Sequence, residues 1–228
     1  MKKSRICRSG AAGISFGKVD GGGAAELSAG KKGRAAVLFV LLLAVSLVAS
    51  CTMPETKIYS LSLQDANGVA GAKPGASISI IMRAPRHLTQ TYIAYRTSPY
   101  QLQISKYSKW EAAPDEMVKN AFRESLQASG MFRDVSGSGY VAAGSYSLDI
   151  DLKRFERADS NGEAFAELVY DFDLLSPDGK ELHHGRISKR PKLDNKDFLG
   201  LAVAMSNALS ESVEEVRKTV LAGVDAGK

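Results

Sequence analysis

Residues that carry chemistry are scarce in this chain. Of 228 residues only two are cysteine, Cys7 and Cys51; three are histidine, His87, His183 and His184; and one is tryptophan, Trp110. Neither cysteine lies beyond position 51, so the body of the chain has no thiol for a disulfide, a nucleophile or a soft-metal site. His183 and His184 are neighbours on an expected strand and point to opposite faces, which leaves no set of three or four zinc ligands. No glycine-rich loop ending in Lys-Ser or Lys-Thr is present to cradle a nucleotide phosphate. Ser138, within Gly137-Ser138-Gly139, lacks the Gly-x-Ser-x-Gly spacing of a nucleophile elbow. The carboxylate pairs Asp149 with Asp151 and Asp171 with Asp173 alternate with apolar residues, as on the solvated face of a one-sided sheet. The sequence thus predicts no metal site, no cofactor and no catalytic centre.

An excess of positive charge is also missing from most of the chain. Met1 to Ser50 holds 8 of the 30 Lys and Arg residues but only 2 of the 25 Asp and Glu, which leaves 22 against 23 in the remainder. The high overall pI therefore belongs to the N-terminal segment, and nothing here points to a nucleic-acid partner.

That segment holds the most informative feature. Lys31, Lys32 and Arg34 precede an uncharged run from Ala35 to Ser50 that ends Leu47-Val48-Ala49-Ser50-Cys51. As a helix the run reaches roughly 24 Å, short of the roughly 30 Å of a hydrocarbon core, and suits a signal-peptide h-region better than a membrane span. The pattern resembles a bacterial lipoprotein signal peptide with its lipobox. This implies cleavage between Ser50 and Cys51, diacylglyceryl transfer to the Cys51 sulfur and N-acylation of the new terminus. The expected organisation is a signal segment over 1–50, a lipidated tether over 51–56 and one domain over 57–228. The glycine-rich stretch before the basic flank is long for such a signal, which fits either an extended n-region or a start near Leu27. Thr52 follows the cysteine where an inner-membrane retention signal would carry Asp, so the resemblance implies the periplasmic face of the outer membrane.

In the body, alternation predicts a strand over 57–63, and a glycine- and proline-containing stretch predicts a loop over 64–76. An apolar run predicts a buried strand over 77–83, and two short strands follow at 92–96 and 100–104. Pro114, Asp115 and Glu116 open a helix whose apolar face is Val118, Ala121, Phe122 and Leu126, with Gly130 as terminator. Leu148, Ile150 and Leu152 begin a three-stranded meander turned at 159–162 and at Pro177-Asp178-Gly179. A long helix from about 196 to 221, capped by Asp194 or Asn195, closes the chain. The fold class is α/β in the α+β sense: a single mixed, largely antiparallel sheet with two helices packed on one face.

Several strings in this order resemble the ABC-type transport auxiliary lipoprotein family of the paraquat-inducible protein C type. They are Ile58-Tyr59-Ser60-Leu61 behind the lipobox, Ile93-Ala94-Tyr95-Arg96 with Ser98, Lys109-Trp110-Glu111 before the Pro114 helix, and Ser176-Pro177-Asp178-Gly179-Lys180 closing a meander strand. The resemblance implies a non-catalytic lipoprotein beside an ABC permease, its ATPase and an MCE-domain (mammalian cell entry) protein. Such systems move lipids or other hydrophobic compounds between membranes, and a homo-oligomer is among the arrangements implied. Tyr95, Arg96 and Trp110 are the candidate partner contacts, because aromatic and Arg side chains concentrate binding energy; a core position is the favoured alternative for Trp110. An outer-membrane assembly lipoprotein that plugs or chaperones a β-barrel, and a lipid-binding carrier, are the competing functions.

Overall fold

The structure, a computed structural model, describes residues 54–63 and 75–226. The signal segment, Ser50, Cys51 and most of the expected 64–76 loop lie outside the described residues. Pro54–Lys228 forms one compact unit, and its hydrophobic core runs from Ile78 to Val224 with Tyr59 packed against it. The domain therefore carries a complete core of its own. Among the described residues no helix is long and apolar enough to cross a membrane.

Among the described residues eight strands and two α-helices follow in the order β1 (Lys57–Tyr59), β2 (Ala76–Arg83), β3 (Tyr92–Ser98), β4 (Gln101–Trp110), α1 (Pro114–Ala128), β5 (Phe132–Ser136), β6 (Tyr146–Ser160), β7 (Glu163–Leu175), β8 (Glu181–Lys189) and α2 (Phe198–Ala226). The α+β class, one mixed sheet with two helices, agrees with the expectation from sequence. The pairings β6–β7, β7–β8 and β3–β4 are antiparallel, whereas β1–β4, β2–β5, β2–β6 and β3–β6 are parallel.

The meander is local chemistry. Asn161 and Gly162, with φ of 52° and 76°, form the turn between β6 and β7; both occupy the left-handed region that a two-residue hairpin loop requires. Leu148, Ile150 and Leu152 face the helices, and a register shift between Leu152 and Arg154 lets Phe155 rejoin them. At the same place the other edge of β6 forks: β2 pairs with residues 146–151 and β3 with 157–158.

The first helix is as expected, with Pro114 at its start, two acids in the first turn and Gly130 in the left-handed conformation just past its end. In α2 the cap is Asp197, whose Oδ1 accepts the Gly200 N–H at 2.7 Å; Asp194 and Asn195 were the expected caps. Gly200 lies so close to Asn195 that a Cβ there would come within 2.1 Å of its carbonyl oxygen. The 57–63 strand shortens to three residues, because β1 has a neighbour only at Ser108–Trp110. The pair of short strands lengthens into the β3–β4 hairpin, and β5 had no counterpart in the sequence reading.

Candidate functional site

The three candidate contacts occupy three different environments. Trp110 ends β4 in the core, 1% exposed, edge-on to Phe155 with centroids 5.4 Å apart. The folded domain cannot offer it to a partner. Tyr95 lies on the helix side of β3, edge-on to Phe198 at 6.0 Å, with the Arg157 guanidinium 5.6 Å from its ring. Arg157 also grips Asp159 and the Lys196 carbonyl, so Tyr95 belongs to a cluster that joins β3 and β6 to the start of α2.

Arg96, one residue on, points to the opposite face. Its Nε donates to Glu156 Oε1 at 2.6 Å, and the Glu156 side chain is fully buried. This pair sits beside the fork in β6, where His87 also feels both charges. Arg96 is thus committed to a buried carboxylate, a role that its place in the sequence could not show.

The face of the meander away from the helices is a lattice of opposite charges. Arg83 pairs with Asp149, Lys153 with Asp151, Arg186 with Asp171, His184 with Asp173, and both Arg154 and Arg190 with Glu167. The aspartate pairs on β6 and β7 are therefore ion-paired on a solvated face. His183 stacks on Phe172 on the other side of the strand. Among the described residues no group of three or more His, Cys, Asp or Glu could hold a metal ion.

Two histidines should titrate apart. Hydrogen bonding to Asp173, then that carboxylate's charge, pushes His184 above its ordinary 6.5. Burial pushes His87 below it, with Glu156 opposing and Arg96 adding to the effect. The His184 pair therefore stabilises fully below about 6.5 and is lost as pH rises through its folded pKa, whereas His87 costs stability as pH falls below about 6.5. Imidazole resonances followed by NMR are expected to show midpoints on either side of 6.5, with Asp173→Asn returning His184 toward its ordinary value. Coincident midpoints would contradict both environments.

What the sequence does not single out is the exposed tip and edge of the β3–β4 hairpin, whose two strands and whose Tyr95, Arg96 and Trp110 it does. Tyr100 at its tip is 96% exposed, and Ile58, Ile104 and Tyr107 are also exposed. Because β1 covers only Ser108–Trp110, residues 101–107 have no strand neighbour on that edge among the described residues. A register shift between Tyr92 and Ala94 loops out part of β4, and Lys106 stands in that stretch. Bulges and lysines on an edge discourage indiscriminate pairing while leaving side chains available to a specific partner. The one signal in the sequence was the tyrosine content of 92–107, which reads equally well as strand propensity.

No curated protein matches this sequence. Among solved structures, protein XCC0632 from Xanthomonas campestris superposes with a TM-score of 0.65 at 20% identity, covering 75% of this chain and 99% of that one. An uncharacterized protein superposes at 0.59 with 12% identity, covering 73% and 99%. These likenesses establish the fold. The family model described as ABC-type transport auxiliary lipoprotein component matches residues 59–217, from the end of β1 to the last turns of α2. With the match covering well over half of the chain, from Tyr59 to Arg217, the chain belongs to the ABC-type transport auxiliary lipoprotein component family.

Proposed function

We propose that the protein is a non-catalytic accessory subunit of an ABC/MCE intermembrane transport system. In this reading it is held by acyl chains on Cys51 at the periplasmic face of the outer membrane and docks the MCE-domain partner. The observation that carries the reading is the family match over residues 59–217 behind a lipobox. Transport energy then comes from the partner ATPase, and this chain contributes a surface. One acyl chain binds a membrane only marginally, so the several chains of a processed lipoprotein make the attachment stable.

The β3–β4 hairpin is the surface best suited to that partner. Exposed tyrosines combine large apolar area with a polar tip at low entropic cost, and aromatic residues are enriched at interfaces. Tyr95 and Arg96, on opposite faces of β3, fasten the hairpin to Phe198 and to Glu156.

The test has two readouts. Cys51→Ser is expected to abolish labelling with palmitate and processing after Ser50; persistent labelling would remove the anchor. Tyr100→Ala combined with Tyr107→Ala is expected to reduce capture of the MCE-domain protein from solubilised envelopes by roughly ten-fold or more, with folding unchanged. Full capture by that variant would move docking elsewhere on the domain. Capture of a β-barrel by the unaltered protein in place of an MCE-domain protein would favour the assembly-lipoprotein alternative.

A further inference from the structure

The first two turns of α2 carry Leu199 and Val203, 59% and 54% exposed and one turn apart on the same face. They wall a groove of about 420 Å³ between α2 and the 189–195 segment, with Pro191, Ala204 and Ala208 along it. That volume lies within the range of small-ligand sites. The apolar stripe is short, since the next positions on this face are Asn207 and Glu211.

One lip of the groove is basic. Lys189 and Arg190 line both this groove and a second hollow of about 380 Å³ on the charged face of the meander. The second hollow brings Lys153, Arg154 and Arg186 together with them around a single lining carboxylate, Glu167. Glu167 is shared by Arg154 at 2.5 Å and Arg190 at 3.0 Å, so one negative charge serves two guanidiniums. Lys189, Arg186 and Lys153 pair with Glu215, Asp171 and Asp151, which stand outside the hollow. Five cations against these four carboxylates leave the hollow about one positive charge in excess, with Glu167 the one carboxylate on its walls, and the groove adds Lys192 against Asp194 and Glu211.

Exposed aliphatic side chains beside clustered Lys and Arg match an anionic amphiphile, with acyl carbons against Leu199 and Val203 and phosphate against the cations. The place of the groove narrows the choice further. Phe198, immediately before Leu199, meets Tyr59 of β1 edge-on at 6.4 Å, so the groove begins beside the first strand of the domain. Only six residues lead from Cys51 to Lys57, and a fully extended stretch of that length spans roughly 20 Å. A chain acylated at Cys51 keeps Lys57 within that distance of the bilayer, and the groove opens one short strand and one ring contact further on.

We propose that the groove is a membrane-contact site that takes the headgroup and upper acyl carbons of an anionic phospholipid in the bilayer to which the chain is tethered. The positional argument rests on the Cys51 reading above, whereas the groove stands independently of it. Each basic residue close to an anionic surface raises affinity roughly five-fold, so two or three of them with two apolar anchors suffice for measurable binding.

The experiment uses the domain from Pro54 onward, whose core is complete, so that no lipid anchor contributes. Sedimentation with phosphatidylglycerol vesicles is expected to carry the domain into the pellet, with roughly ten-fold or more weaker association to phosphatidylcholine vesicles. The pairs Leu199→Ser with Val203→Ser, and Lys189→Ala with Arg190→Ala, are each expected to weaken binding to phosphatidylglycerol by roughly ten-fold or more, at unchanged circular dichroism. Absence of binding, equal binding to both lipids, or binding that both variants leave intact would overturn the site. So would loss of partner capture in these variants with vesicle binding unchanged, which would make the groove a protein-docking surface. Palmitate labelling of Cys51 tests the anchor separately, so failure of one assay does not decide the other.

Discussion

Trp110→Ala is expected to destabilise the domain by about 3–5 kcal/mol, the range for truncating a large buried aromatic. The side chain is 1% exposed, ends β4 beside the register that holds β1, and presses edge-on against Phe155 where the ladder of β6 shifts. Its removal opens a cavity at a point where three strands meet, and a sheet cannot collapse into such a gap as a loop could. For a domain of this size the midpoint of thermal unfolding should fall by roughly 10 °C. Trp110→Phe, which refills most of the volume, is expected to recover more than half of the loss. A variant that melts like the parent would show that Trp110 is dispensable to the core and would reopen it as a contact.

Arg96→Ala is the second large effect, through a different cause. Truncation leaves the Glu156 carboxylate buried without its cation, and breaking one side of a buried pair costs about 3–5 kcal/mol. Because Arg96 is itself a quarter exposed, water can partly replace it, and the lower end of that range is expected. Arg96→Met combined with Glu156→Leu is expected to restore most of the stability, since an apolar pair of similar volume removes the stranded charge. Denaturant unfolding of Arg96→Met, Glu156→Leu and the double variant closes the cycle; additive losses would show that the two groups do not depend on each other. The same set separates folding from docking, because a restored double variant that still fails to capture the partner would give Arg96 a second role at the surface.

The parts of the fold that could be read from sequence are those whose cause is local. Alternation along 148–152 and 166–174 with turn residues at 159–162 and 177–179 describes the meander, and Pro114 with two acids marks the first helix. The parallel pairings were not legible, because period-2 patterning says which face a residue takes but not which strand lies beside it. Phe132–Ser136 carries two charges in five residues and has no alternation to announce it, so β5 is visible only through its neighbour β2. The candidate contacts show the same limit. Arg96 and Glu156 are sixty positions apart, and only the fork in β6 brings them together. Tyr107 has no strand beside it because β1 begins only at Lys57, opposite Ser108, and Tyr100 stands in the turn before β4, facts about pairing rather than about tyrosine.

The fork in β6 also sets the width of the sheet. Across one half the lanes run β5, β2, β6, β7, β8, and across the other β1, β4, β3, β6, β7, since β8 ends at Leu168 of β7, short of the residues opposite β3, so eight strands occupy five lanes. At about 4.8 Å per lane that is roughly 19 Å across, close to the span of two helices lying side by side at 10–12 Å each. Eight lanes in a row would be roughly 34 Å wide, and two helices would leave a broad strip of apolar surface bare. Seating two strands end to end along one edge of β6 keeps the roof as wide as the floor. In the half that holds β3, the outermost strands β1 and β4 are where Ile58, Ile104 and Tyr107 stand uncovered.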